Sequence, residues 1–145
     1  MKKLVIIISL FLAVACNKDT KYEQLIQYSF EWDESTKWIN IDYDNGYQLI
    51  VINNNEKLKK YLPEDTTDYP VIDFSKHTLL LACGRTRTHP RDFTYSFKKN
   101  STDNYMLNIK IYDGFAYGYP AWIWSGLTNK LSEESKVELN VTQIP

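Results

Sequence analysis

Apolar positions along this chain mostly alternate with a period of two, and one stretch departs from the pattern by being apolar on both sides. Between Val71 and Gly84, Thr78, Leu80 and Ala82 fall on one alternating face, and His77, Leu79, Leu81 and Cys83 on the other. A strand with no face suited to water belongs inside a sheet, covered above and below. The pattern predicts a central strand, entered through the polar turn of Asp73, Ser75 and Lys76 and closed by Gly84. Its role is scaffold rather than chemistry.

Elsewhere the alternation is one-sided. Phe93, Tyr95 and Phe97 share a face, Lys98 to Asp103 form a polar turn, and Tyr105, Leu107, Ile109 and Ile111 share a face of the next run, which together predict a hairpin. After a connection from Gly126 to Ser135, Val137, Leu139 and Val141 face inward on a last strand ending near Ile144. A further hairpin is predicted from Trp38 to Ile52 about the turn Asp44-Asn45-Gly46, because Asn-Gly tolerates the positive φ such turns require. Asn53, with Glu56 in capping-box register, predicts a helix that shows Leu58, Tyr61 and Leu62 on one face and stops at Pro63. Lys57, Lys59 and Lys60 fall on its solvated side. Tyr22 to Trp32 fits helical spacing in its first half and strand alternation in its second. The sum is an α+β fold: a mainly antiparallel β-sheet, as a sandwich or roll, with one short packed helix.

The N-terminus carries a different signal. Lys2 and Lys3 precede an apolar run from Leu4 to Leu12, which ends in Ala13-Val14-Ala15-Cys16. The run is shorter than the ~20 apolar residues a spanning helix needs. It reads as an export signal over residues 1–15, and Cys16 stands where a bacterial lipobox places its lipidated cysteine. A plain cleaved secretory signal is the alternative. One acyl chain anchors only marginally, so the several chains of a lipoprotein would be what holds this one to a membrane. Residues 16–37 would then be tether and N-terminal segment, and residues 38–145 a single globular domain.

Charge and cysteine content narrow the picture. The 145-residue chain has 17 basic and 18 acidic residues, and loss of the leader removes two lysines and no acid. That mildly acidic, mixed balance argues against a nucleic-acid partner. Cys83 is the only cysteine besides Cys16, so the core holds by burial, without an internal disulfide.

Candidate chemistry is sparse. Cys83 and His77 lie six residues apart on one strand, ~20 Å at about 3.3 Å per residue, too far for a thiol and its base. His89 could fold back toward Cys83, but no third orienting group is marked. Asp42, Asp44 and Asn45 lack EF-hand spacing. No catalytic residue, metal site or cofactor is therefore expected. Two connections carry the binding potential. Gly84 to Arg91 reads as a basic loop with Arg85, Arg87, His89 and Arg91, and arginine pairs well with carboxylate and phosphate. Asp113 to Pro120 reads as a glycine-bearing aromatic loop in which Phe115, Tyr117 and Tyr119 are the residues expected to be exposed, with Asp113 beside them. Trp122 and Trp124 share one face of the following run, and Ala121 and Ile123 the other, so one of the two sets is expected to be buried.

The Ile72-Asp73-Phe74-Ser75-Lys76-His77-Thr78-Leu79-Leu80-Leu81 run, the Leu131 to Ser135 turn and the Val137 to Thr142 strand resemble small uncharacterised lipoproteins of Bacteroidetes. That resemblance implies envelope location and anchoring to the outer membrane, on either its periplasmic or its surface face, and no activity. The Asp-Phe-Ser-Lys entry to the strand more distantly resembles the domain of a lipoprotein subunit in a spirochaetal surface protease complex. That family has a glycine-rich turn where this chain has Arg85-Thr86-Arg87-Thr88-His89-Pro90. Asp65-Thr66-Thr67 also resembles the short O-glycosylation signal of Bacteroidetes. The expectation is a lipid-anchored, non-catalytic binding module for a protein partner. A carbohydrate-binding accessory protein is the alternative, and an inhibitor or subunit of a protease the weaker third.

Overall fold

The computed structural model describes residues 26–28, 38–64 and 71–145. The export signal, Cys16 and Asp65-Thr66-Thr67 lie outside them. The elements are β1 (Ile26–Tyr28), β2 (Gln48–Ile52), α1 (Asn55–Lys59), β3 (His77–Arg85), β4 (Thr88–Ser101), β5 (Asn104–Tyr117), β6 (Ala121–Asn129) and β7 (Lys136–Ile144). They form a four-stranded sheet in the order β1-β6-β3-β2 and a three-stranded sheet in the order β4-β5-β7. All pairings are antiparallel except β5 with β7, which is parallel. The protein is thus mostly antiparallel β-structure in two sheets, with little helix.

The two-faced run is the interior strand β3, flanked by β6 and β2, and its residues Thr78 to Gly84 are buried. Its faces serve two cores. Leu80 and Ala82, with Trp122 and Trp124 of β6, meet Leu107, Ile109 and Ile111 of β5 in a layer shared by both sheets. Phe93, Tyr95 and Phe97 of β4 and Val137, Leu139 and Val141 of β7 pack against that layer, as their alternation predicts. On the opposite face, Leu79, Leu81 and Leu127 cluster with Ile52, Leu58, Ile72 and Phe74.

Polar groups fix the entry to β3. The Asp73 carboxylate accepts from the Ser75 backbone N–H at 3.0 Å and the Ser75 hydroxyl at 2.5 Å, an Asx-type turn that starts the strand. These bonds, with Lys76, hold the exposed carboxyl below its usual range. Thr78, fully buried, donates through its hydroxyl to Asn53 Oδ1 at 2.6 Å and accepts from the Leu131 N–H at 3.0 Å.

Four expectations need correction. The hairpin about Asp44-Asn45-Gly46 does not form: Trp38 to Tyr43 is not a strand, and β2 pairs with β3 instead. Gly46 does take a positive φ of 75°, but Asn45 does not. The Asp44 N–H turns back to Asp42 Oδ1, while Ile39 N–H bonds Tyr61 O and Asn40 bonds Lys60 O beside α1. Both faces of β2 are apolar, and beside the two-faced β3 Leu49 and Val51 pack on one core while Ile50 and Ile52 join the other. The helix is shorter than predicted: it starts one residue later, with Asn54 rather than Asn53 accepting the capping bond from Lys57 N–H at 2.8 Å, and it ends at Lys59, short of Tyr61, Leu62 and Pro63. Asn53 is engaged by Thr78. The segment beginning at Gly126 is not yet a connection, since β6 continues to Asn129. Finally, the basic and aromatic segments are largely strand, not loop, as described next. Three residues of the ambiguous N-terminal stretch, β1, pair with β6 as strand.

Candidate functional site

Arg85 is the last residue of β3 and pairs with Ala121, the first of β6. The chain then bends at Thr86 and Arg87 and enters β4 at Thr88, passing from one sheet to the other. Opposite it, β5 runs on past the end of β7, whose last pair is Ile144 with Tyr112. Residues 113–117 are therefore paired with β4 alone, Pro90 opposite Asp113 and Thr88 opposite Tyr117. Register shifts on either side of Pro90 kink this two-stranded ribbon. Gly114 is required there, because a Cβ at that position would stand 2.3 Å from the His89 carbonyl oxygen.

The two segments singled out in the sequence are thus zipped together at one end of the molecule. Thr86 N–H donates to Pro120 O at 3.1 Å, and Gly118 N–H donates to Arg87 O at 3.4 Å. The Thr86 hydroxyl, buried, donates to Thr88 O at 2.8 Å across the bend. Arg85 ties both sides: its Nε donates to the Asp44 carboxylate, and its Nη1 donates to Tyr119 O at 2.9 Å. Tyr119 sits at a positive φ of 49°, in the left-handed region that a tyrosine adopts only when its surroundings hold it.

This frame presents aromatic surface to solvent. Phe115 is 96% exposed, Tyr117 84% and Tyr119 67%. Large apolar side chains are normally covered, and a group of them on one structural feature marks a contact surface. Arg87, His89 and Arg91 are exposed on the adjoining segment. Arg85 is committed to Asp44 and Tyr119, so Arg87 and Arg91 carry the charge available to a partner.

Behind the ribbon lies a second tier that sequence reading did not assign. Tyr47, also exposed, lies tilted against Trp122 with centroids 5.9 Å apart, and its hydroxyl accepts from Gln143 Nε2 at 2.8 Å. Burial raises the Tyr47 phenol above its ordinary pKa and the Asp113 charge adds to this, while the Gln143 bond and the Arg87 charge oppose it. Asp113 is half-buried rather than fully exposed. Asp44 and Tyr47 belonged to the misread hairpin, and no local signal joins Asp44 to Arg85, 41 residues away. Trp122 (3% exposed) and Trp124 (1%) are core, as is Ile123 (6%), while Ala121 is exposed.

Cys83 stands apart from this surface chemically. It is fully buried, and burial, helped by the Asp42 charge, pushes its thiol up to about 11. A thiol so placed stays protonated and unreactive at neutral pH. His77 pairs with Asn129 and Cys83 with Ile123, at opposite ends of the β3–β6 ladder. Among the described residues no group of three or more His, Cys, Asp or Glu side chains could hold a metal ion. No family model matches the chain, and no solved structure matches it.

Proposed function

We propose that this chain is a lipid-anchored protein of the bacterial cell envelope whose sandwich-like domain, backed by the α1 turn, is a non-catalytic binding module for a protein partner. The observation that carries the reading is the joining of Phe115, Tyr117 and Tyr119, all exposed, to the Arg87–Arg91 segment in one hydrogen-bonded ribbon. Aromatic rings give large contact area at low entropic cost, and arginine adds directional hydrogen bonds, the two residue types most enriched at energetically dominant interface positions. The export signal and Cys16 supply the anchor, and the Asn17 to Lys21 tether would let the ribbon stand away from the bilayer.

Capture from the native membrane tests this, using the wild-type chain and a chain carrying Arg87→Ala and Tyr117→Ala. A crosslinked partner that is present with the first and lost with the second supports the ribbon as its docking surface, whereas equal recovery contradicts it. The carbohydrate reading draws on Asp113, which shares strand β5 with Phe115 and Tyr117. Specific glycan-array binding abolished by Tyr117→Ala, with no protein crosslink, would favour it.

A further inference from the structure

The sheet of β4, β5 and β7 is stepped at the end that carries the exposed rings. β7 runs beside β5 only as far as the pair of Ile144 with Tyr112, whereas β5 continues to Tyr117 with β4 alone at its side. Residues 113–117 therefore have one paired edge and one open edge, and among the described residues no backbone bond reaches the open one. Successive residues of a strand turn their N–H and C=O to opposite edges, so roughly half of these groups face outward with no strand to meet them. They are not sealed from solvent: Phe115, Ala116 and Tyr117 are all exposed.

Open edges invite a further strand, and folded chains blunt them with proline, lysine and bulges. The outer edge of β4 is blunted in this way by Pro90, by the register shifts around it and by Lys98 and Lys99. The outer edge of β7 is approached by Tyr47, to whose hydroxyl Gln143 donates at 2.8 Å. Residues 113–117 carry no proline and no basic residue, and Phe115 and Tyr117 alternate onto one face. The step is bounded at one end by Ile144 and at the other by Gly118, whose N–H turns to Arg87 O, and by Tyr119 at its positive φ. At about 3.4 Å per residue it accepts ~17 Å of extended chain, a strand of ordinary length. A second copy of this chain does not fit: paired antiparallel over the whole step, centred on Phe115, its Gly118 would stand opposite Tyr112, the place Ile144 already holds.

We propose that the open edge of β5 at residues 113–117 receives one extended segment of the protein partner as an added strand, in line with β7. The proposal rests on the reading of this end as the docking surface for a protein and specifies how the partner is held. Main chain bonds to main chain along the step, and alternate apolar side chains of the partner lie against Phe115 and Tyr117.

A phage-displayed library of short random peptides, panned on the full-length chain in detergent micelles, supplies the probe. Selected peptides should carry apolar residues at alternate positions. The tightest is synthesised plain, N-methylated at its odd residues, and N-methylated at its even residues. A strand bonded along one edge should weaken about tenfold or more with one set of methyl groups and stay within about twofold with the other. The plain peptide should also slow hydrogen exchange of backbone amides within residues 113–117, while Lys110, in the part of β5 already paired with β7, stays unchanged. Failure to select any peptide, binding indifferent to both sets of methyl groups, or protection at another strand edge in place of residues 113–117 would each overturn the added strand. Protection of residues 113–117 that grows with protein concentration and no peptide would assign the step to a second copy and overturn it as well. Methyl-indifferent binding, beside partner capture that is still lost in the chain carrying Arg87→Ala and Tyr117→Ala, would remove the added strand and leave the docking surface standing.

Discussion

Adding a single methyl group at Gly126 tests how tightly the layer between the sheets is packed. Gly126 lies in β6 opposite Leu80 of β3, and a Cβ there would stand 2.5 Å from Trp124 Cη2 and 2.8 Å from Cζ2. The indole cannot easily retreat: Trp124 is 1% exposed and its ring lies 5.2 Å from that of Tyr95 across the core. Forcing a methyl into such a layer costs about 1–3 kcal/mol. Gly126 does not occupy the left-handed region, so alanine also gains about 0.4–1 kcal/mol by restricting the unfolded chain. The net expectation for Gly126→Ala is a loss of about 1–2 kcal/mol. Urea unfolding followed by far-UV circular dichroism measures it as a lower midpoint at unchanged slope. Trp124→Phe removes the three ring atoms that a Cβ would meet, so the alanine should cost less in that background, by about 1 kcal/mol in a double-mutant cycle. A Gly126→Ala chain as stable as wild type, or one whose cost is the same with and without the indole, would refute the packing argument.

Further expectations follow from other parts of the chain. Thr78→Val leaves Asn53 Oδ1 and the Leu131 N–H without the Thr78 hydroxyl, and should destabilise by about 1–3 kcal/mol in the same unfolding assay. Cys83 should resist a thiol reagent in the native chain at neutral pH and react on unfolding. Because its folded pKa of about 11 lies above the ordinary 9.0, the stability linked to Cys83 is full below pH 9 and is lost as pH rises from there through 11. Cys83→Ala should flatten that alkaline loss in thermal melts across the window. Cys16→Ser should release the protein from the membrane fraction or halt its processing; unchanged partitioning would contradict lipidation.

What could be read from the sequence depended on whether burial or distant contact decided the outcome. The alternations at Phe93-Tyr95-Phe97, Tyr105 to Ile111 and Val137 to Val141 survive into the structure because each strand faces one shared layer. The two apolar faces of Val71 to Gly84 likewise match two separate clusters. The Asp44-Asn45-Gly46 turn misled because turn chemistry is local, while the partner of β2 was chosen by the apolar faces of β3, some thirty residues on. The parallel β5–β7 pair has no local signature. At the candidate site, the exposure of Phe115, Tyr117 and Tyr119 was legible from their glycine-rich surroundings. The strand continuing through them was not, because Gly114 serves the close approach of His89 rather than a loop. Nor could sequence place Asp44 on Arg85, or Tyr47 on Trp122 and Gln143.

The central claim, that the ribbon of β4 and β5 is the surface a partner grips, is tested most directly by the affinity of that partner, once captured, for three single variants of the full-length chain. Arg87→Ala and Tyr117→Ala should each weaken binding at least tenfold, about 1.4 kcal/mol. Lys110→Ala, an exposed position farther along β5 in the part that pairs with β7, should leave binding within a factor of two. Affinities for Arg87→Ala and Tyr117→Ala that match the wild type by isothermal titration calorimetry would contradict the account.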